Sequence, residues 1–141
     1  MLALLLATFA VAGCGNGKDK VVTVTGKATH NGNPVPGVIV SFVPQGENEV
    51  GPSTGLTNES GEFTLTVFKT KERGAVVGSH KVCVSLPLKP DEDKEQRKNA
   101  AKNPYAGLSP DVVEVLRKYG RQETTPLTVE VTGDTLDLKL D

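Results

Sequence analysis

The stretch VVTVTGKATHNGNPVPGVIVSF, residues 21–42, carries the pattern that decides the fold. Apolar residues recur at every second position on both sides of Asn31-Gly32: Val22, Val24, Val38, Val40 and Phe42. A period of two is the side-chain repeat of a strand that is half buried in a sheet. Asn-Gly between two such runs favours a tight hairpin turn. The stretch therefore predicts a pair of antiparallel strands.

The same alternation continues along the chain, in runs at 53–57, 63–67, 81–86, 127–131 and 136–140. Asn58-Glu59-Ser60-Gly61 supplies turn residues after the first of these runs, and Gly133-Asp134 predicts a two-residue hairpin loop between the last two. With the opening stretch, these runs make seven strands. Short alternating strands separated by turns predict an all-β fold, a seven-stranded antiparallel Greek-key β-sandwich over residues 21–141.

One segment, residues 87–125, interrupts the strand pattern. It is too long for a turn and begins with a mixed charge run, KPDEDKEQRKNAAKNP. Ser109 and Pro110 are typical of the start of a helix. An apolar stripe follows and ends at Gly120: Val112, Val113, Leu116 and Tyr119. We expect a charged, exposed insertion that contains one short helix docked on the sandwich by this stripe, and a loop of this length is commonly either functional or disordered.

The first thirteen residues, MLALLLATFAVAG, contain no charged side chain. As a helix they would reach roughly 20 Å, short of the hydrocarbon core of a bilayer at ~30 Å. A short apolar run that ends in small residues is typical of a secretory signal peptide. Residues 1–13 are therefore predicted to be a leader, and the small, polar residues 14–20 a flexible tether.

The end of this leader, Val11-Ala12-Gly13-Cys14, resembles the lipobox of bacterial lipoprotein precursors. The resemblance implies a diacylglyceryl thioether on Cys14, cleavage before it and acylation of the new amino terminus. Several acyl chains make a stable membrane anchor. The expected location is the bacterial cell envelope, and the absence of Asp at position 15 favours the outer membrane over the inner one.

Composition bears on two questions, whether the protein binds nucleic acid and whether it contains disulfide bonds. Sixteen Lys and Arg nearly balance seventeen Asp and Glu, and no basic run is interleaved with aromatic residues, so nucleic acid is not an expected partner. The chain has two cysteines. With Cys14 lipidated, Cys83 has no partner within the chain, and no disulfide framework is predicted.

Four segments carry a family resemblance: GNPVPGVIVSF (32–42), TNESGEF (57–63), GSHKVCV (78–84) and TTPLTVEV (124–131). The first three resemble the carboxypeptidase regulatory-like, transthyretin-like domain, and the fourth is similar to small envelope lipoproteins that carry this domain alone. The resemblance implies a transthyretin-like (prealbumin-like) sandwich without catalytic activity. It also implies a structural, adhesive or carbohydrate- or protein-binding role in the envelope, with the oligomeric state left open.

Two histidines and two tyrosines are the main candidates for chemistry: His30, His80, Tyr105 and Tyr119. Two tyrosines and two histidines resemble the iron ligands of intradiol dioxygenases. In that family, however, the two histidines lie close together in the chain and follow the tyrosines. Here both histidines come first and lie far apart. We expect a turn histidine and an edge-strand histidine, both in solvent. Hydrolytic relatives of transthyretin need a Tyr-Arg-Gly-Ser segment, which residues 138–141 do not provide.

The remaining candidates favour no reaction. Cys83 is expected to be a packing residue of its strand. Asp91-Glu92-Asp93 lacks the alternation of a calcium loop and reads as a solvated charge run. Four nearby cations have the same interpretation, with contact to an anionic envelope polymer or headgroup as the alternative: Lys94, Arg97, Lys98 and Lys102. No catalytic residue, cofactor or metal is predicted, and the alternatives are a metal-dependent or hydrolytic enzyme and an assembly subunit that pairs edge strands.

Overall fold

The computed structural model describes residues 19–89, 93–133 and 135–141. It is mostly β, with 37% of residues in strands and 15% in helices, which confirms the all-β class. The strands are β1 (Val21–Val22), β2 (Thr25–His30), β3 (Asn33–Pro34), β4 (Ile39–Pro44), β5 (Ser53–Leu56), β6 (Glu62–Thr64), β7 (Thr66–Val67), β8 (Ala75–Val76), β9 (Gly78–Ser85), β10 (Thr128–Val131) and β11 (Leu136–Lys139). The helices are α1 (Lys94–Lys102) and α2 (Pro110–Tyr119).

Two main sheets share one apolar core. The larger sheet has the order β10-β9-β4-β5-β7, the smaller has β11-β2-β3 with β6 also paired to β2, and β1 pairs with β8 in a two-stranded ribbon. Alternate residues of both main sheets are buried in the same cluster, including Val24, Ala28, Val40, Phe42, Phe63, Leu65, Val82, Val84 and Leu138. The period of two therefore sorts side chains between core and solvent as expected, in a two-layer arrangement consistent with a β-sandwich.

The Asn31-Gly32 turn forms, but its hairpin is shorter than predicted. Both residues have positive φ, 49° and 79°, as this turn requires. The turn joins β2 to the two-residue β3, whereas β4 lies in the other sheet between β9 and β5. Gly37, at φ 69°, turns the chain between the two sheets. The alternation of apolar residues therefore predicted the buried faces of this stretch correctly, but the predicted pairing of β2 with β4 is wrong.

The run at 62–67 also divides between the sheets. Its first half, β6, pairs with β2, and its second half, β7, pairs with β5. Leu65 lies between the two and is fully buried, while Thr64 is exposed, as the alternation predicts. Phe63 stands directly opposite Gly26 in the β2–β6 register, so its ring covers a position that has no side chain.

The predicted hairpin at Gly133-Asp134 is wrong. β10 pairs antiparallel with β9 in the larger sheet, and β11 pairs with β2 in the smaller one. The β11–β2 pair is parallel, which also departs from the expectation of purely antiparallel strands. Leu138 and Leu140 are buried on the inner face of the smaller sheet. Burial of these two leucines in the core therefore favours pairing of the last strand with β2 over pairing with β10.

The described residues of the insertion form two helices rather than the one expected. The predicted helix is α2: the side chain of Ser109 accepts a hydrogen bond from the backbone of Val112, and Pro110 occupies the first turn. Its buried stripe consists of Val112, Val115, Leu116 and Tyr119, so Val115 takes the place predicted for Val113. The insertion is therefore not wholly exposed, because this stripe belongs to the core.

The domain has two distinct ends. At the entry end, Lys20 accepts a hydrogen bond from Val77 and β1 pairs with β8. At the helical end, α2 packs on β9, its Glu114 contacts His30 at the end of β2, and its Tyr119 donates to the backbone oxygen of Asp141 after β11. β9 runs from one end to the other in eight residues, which span about 25 Å. Any segment attached before Asp19 therefore joins the domain far from α2.

Candidate binding surfaces

The predicted lipidation site, Cys14, lies outside the described residues. The first described residue, Asp19, lies at the entry end, where its carboxylate accepts a 2.8 Å hydrogen bond from the backbone of Glu49. Lys20 is bonded through its carbonyl to Val77 at 2.9 Å. In the part of the chain that is described, no helix has the length and apolarity needed to cross a membrane.

A groove of about 590 Å³ lies along the outer side of the smaller sheet. Its lining residues come from β2, β5, β6 and the loops beside them: Thr25, Gly26, Lys27, Leu56, Asn58, Glu62, Phe63, Thr64 and Thr135. Small-molecule sites commonly have volumes of about 300–1,000 Å³, so the groove is large enough for a compact ligand. We call this set of residues the sheet groove.

The polar wall of the sheet groove is held by the turn before β6. The Asn58 side-chain oxygen accepts hydrogen bonds from the backbones of Ser60 and Glu62, at 3.0 and 2.9 Å. Its amide nitrogen donates to the Glu62 carboxylate at 3.1 Å. Gly61 closes the turn at φ 75°, where an added Cβ would lie 2.5 Å from the Ala28 carbonyl oxygen. The exposed Glu62 carboxylate is therefore oriented by one hydrogen bond from Asn58.

Hydroxyl groups and one ammonium group complete the sheet groove. Thr25 lies opposite Thr64 and 3.5 Å from Thr135, measured between side-chain oxygens in the latter pair. Lys27 lies opposite Glu62 in the register, and the described residues include no ion pair between them. Leu56, 59% exposed, adds an apolar contact. The groove thus offers several hydrogen-bond donors and acceptors beside a small apolar surface.

His30 is buried, which corrects the expectation of a solvent-exposed turn histidine. Its Nδ1 donates to the Leu140 carbonyl, and its Nε2 lies 3.1 Å from the Asn31 amide nitrogen. The exposed Glu114 carboxylate of α2 lies 3.5 Å from the same Nε2. Leu140 and Glu114 are distant from His30 in the chain, so their contacts could not be predicted from the turn sequence. The imidazole ties β2 to α2 and to the residue that follows β11.

His80 is also buried and does not lie on an edge strand, since β9 is flanked by β4 and β10. Its Nδ1 lies 3.0 Å from the Gly78 carbonyl oxygen, while Nε2 has no hydrogen-bond partner among the described residues. The ring packs 6.0 Å from that of Phe42. Burial lowers the pKa of His80 below 6.5, against the opposing effects of the Gly78 hydrogen bond and Glu130.

The two tyrosines have separate structural contacts. The Tyr119 hydroxyl donates a 2.8 Å hydrogen bond to the backbone oxygen of Asp141, close to the His30–Leu140 contact. Tyr105 lies beneath the guanidinium of Arg117, with 5.5 Å between the Arg117 Cζ and the ring centre. The structure therefore brings His30 and Tyr119 to the helical end, while His80 lies near the entry end.

Cys83 occupies the middle of the outward face of the larger sheet, opposite Ser41 on β4. It is half-buried and unbridged. Burial raises the pKa of its thiol, the Glu123 charge raises it further, and Lys81 opposes both effects. The thiol is therefore protonated at neutral pH, the unreactive form.

The structure describes only part of the acidic run Asp91-Glu92-Asp93. Asp91 and Glu92 lie outside the described residues, and Asp93 starts α1 by accepting a 2.9 Å hydrogen bond from the Glu95 backbone. Across residues 19–89, 93–133 and 135–141, no three His, Cys, Asp or Glu side chains are grouped so as to hold a metal ion. The basic residues of α1 are exposed.

No protein-family model, curated protein or solved structure matches this chain. The resemblance to transthyretin-like domains and to lipoprotein precursors therefore stays a prediction from the residues quoted for it.

Proposed function

We propose that this protein is a lipid-anchored β-sandwich of the bacterial cell envelope, held to the membrane through Cys14, that binds a carbohydrate ligand and catalyses no reaction. The finer architecture we propose is transthyretin-like, with seven principal strands in Greek-key order. In this proposal the strands are β2, β4, β5, the β6–β7 run, β9, β10 and β11, and the outer membrane is the favoured location.

The lipobox and the position of the entry end support the anchor. Val11-Ala12-Gly13-Cys14 follows an apolar leader, and the polar residues up to Lys20 connect it to the domain. Asp19 and Lys20 are bonded to Glu49 and Val77 at one extremity of β9. A tether attached there leaves α2 free of the attachment point.

The sheet groove carries the binding part of the proposal. Carbohydrates present several hydroxyl groups and small apolar faces, so they are matched by sites that combine hydrogen-bonding side chains with apolar contacts. The groove places the Glu62 carboxylate, held by Asn58, beside Lys27, the threonine hydroxyls and the exposed Leu56. A held carboxylate lowers the ordering cost of binding, because less side-chain freedom is lost.

The anchor is tested by labelling cells with a clickable palmitate analogue and fractionating their membranes. Wild type should be labelled and retained in the membrane fraction, and Cys14→Ser should lose both properties. Cys83→Ser is the matched control, since it removes the other cysteine and should keep both. An unlabelled, soluble wild-type protein would rule out the lipid anchor.

The sheet groove is tested on a glycan array with detergent-solubilised protein. Replacing Lys27 by Met or Glu62 by Gln should reduce binding to any glycan that wild type retains by about tenfold, which corresponds to losing one charged hydrogen bond. Thr128→Val, on the outward face of the larger sheet, is the control and should bind as wild type. Wild-type binding to no glycan, or equal binding by all variants, would contradict the proposal.

A further inference from the structure

The first helix of the insertion is exposed along its length. α1 has nine residues, and each of its side chains whose burial is described is exposed. None of its described side chains belongs to the core cluster, in contrast to α2. A helix this short and this polar has little stability of its own in water. Its sequence is therefore not explained by packing against the domain.

The cations of α1 lie on one side of it. At 100° per residue, four basic positions and Ala101 fall within an arc of roughly 140°. These basic residues form the cationic face: Lys94, Arg97, Lys98 and Lys102. Glu95 borders this arc, and Asn99 and Ala100 lie outside it. The face spans roughly 12 Å along the helix axis, at a rise of about 1.5 Å per residue.

Like charges repel one another along this face. Lys94 and Lys98 are four residues apart, and so are Lys98 and Lys102, a spacing at which equal charges destabilise a helix. No salt bridge joins any of the four cations to the residues that the structure describes. An anion bound along the face would remove the repulsion and stabilise the helix. The pattern favours a partner that carries several spaced negative charges.

The place of α1 in the chain separates it from the anchor. β9 ends at Ser85 at the helical end, α1 follows, and α2 packs on the same end. Residues 19–22 join the domain at the opposite end. With Cys14 in the membrane, the connection that holds α1 starts on the far side of the domain from the bilayer surface.

We propose that the cationic face binds an anionic polysaccharide, one with carboxylate or phosphate groups, on the side of the domain away from the membrane. This direction rests on the lipid anchor proposed above. The face offers only Ala101 as an apolar contact, whereas protein interfaces take most of their affinity from buried aromatic and other large anchors. Spaced cations without such an anchor fit a flexible polyanion.

The test measures binding of fluorescent polygalacturonate to the full chain in detergent micelles, with neutral dextran as the comparison probe. Replacing the four cations by Gln should weaken polygalacturonate binding by at least about tenfold and flatten its dependence on salt. The matched control replaces Lys69, Lys71, Arg121 and Lys139 by Gln. It changes the net charge equally and should stay within about threefold of wild type.

Three results would overturn the inference. The control variant could lose as much affinity as the cationic-face variant, which would show a bulk charge effect. Wild type could bind dextran as well as polygalacturonate, or could bind anionic phosphatidylglycerol vesicles more tightly than the polymer through the same four residues. Palmitate labelling of Cys14 is read separately, so failure of the anchor and failure of the cationic face are distinguishable.

Discussion

The ring of Phe63 occupies the space that a side chain at Gly26 would need. The two residues face each other across β2 and β6, and a Cβ at position 26 would lie 2.5 Å from the Phe63 Cζ. The same Cβ would lie 2.6 Å from the carbonyl oxygen of Leu136 on β11. An aromatic ring opposite a strand glycine restores the packing that the glycine lacks.

Gly26→Ala should therefore destabilise the domain by about 1–3 kcal/mol through overpacking, measured by urea unfolding. Shortening the ring with Phe63→Leu in the same chain should recover part of this loss, and only part, because the Leu136 carbonyl remains. Thr25→Ala is the neighbouring control and should change stability little. Full additivity of the two core substitutions would show that the contact is not coupled.

The end of the insertion is fastened to β9 by Thr125. Its buried hydroxyl donates a 2.6 Å hydrogen bond to the Val82 carbonyl. Thr125→Val keeps the shape but leaves this carbonyl without that donor, at an expected cost of about 1–3 kcal/mol in unfolding free energy. Thr124→Val, one residue earlier and exposed, should cost much less. Equal effects of the two substitutions would contradict a role for the buried bond.

His80 should make the domain sensitive to mild acid. Its folded-state pKa is lowered by burial, so between that value and about 6.5 the unfolded chain binds the extra proton. Its contribution to stability is therefore fully present above pH 6.5 and declines as the pH falls below it. Urea unfolding between pH 7.5 and 5 should show this decline.

Two variants isolate the histidine. His80→Leu removes the titrating group and should flatten that part of the pH profile. Glu130→Gln removes a charge that raises the His80 pKa, and so should extend the decline to lower pH. An unchanged slope in His80→Leu would assign the acid sensitivity to other groups.

Alkylation of Cys83 should respond in opposite directions to its two charged neighbours. In a Cys14→Ser chain, iodoacetamide reacts through the thiolate of Cys83, whose pKa is raised by burial and by Glu123 and lowered by Lys81. At pH 8, Glu123→Gln should speed the reaction because it lowers the pKa of the thiol, and Lys81→Gln should slow it because it raises that pKa. The same sign for both variants would contradict this electrostatic account.

Alternating residues identified most strands and their buried faces, because the repeat of a strand is a property of the local chain. The pairing partner of each strand was harder to predict from the sequence. Nothing near Gly133 distinguishes a hairpin from a crossing between sheets, since the choice depends on where Leu138 and Leu140 find apolar contacts. Likewise α1 was missed because it has no apolar stripe, and such a stripe is the signal by which helices are found.

The surfaces were harder to predict than the strands. His30 follows five strand residues and precedes a turn, which suggested exposure, but Leu140 and Glu114 cover it from 110 and 84 positions away in the chain. The sheet groove combines residues from four separate segments, and only the Asn58 turn within it has a local signature. The sequence alone shows the four cations of α1. Only the helix in the structure shows that they share one face and lie away from the entry end.

The parallel pairing of β2 with β11 has a consequence for the order of folding. β2 is among the first parts of the domain to be synthesised, yet its partner at Leu136–Lys139 lies 110 residues later. Pairing residues so far apart in the chain is slow. The pair can form only after nearly the whole domain has been synthesised. During synthesis, the edge of β2 that pairs with β11 would stay unpaired until the last strand emerges, and a chain stalled before Leu136 would expose this edge to aggregation or proteolysis.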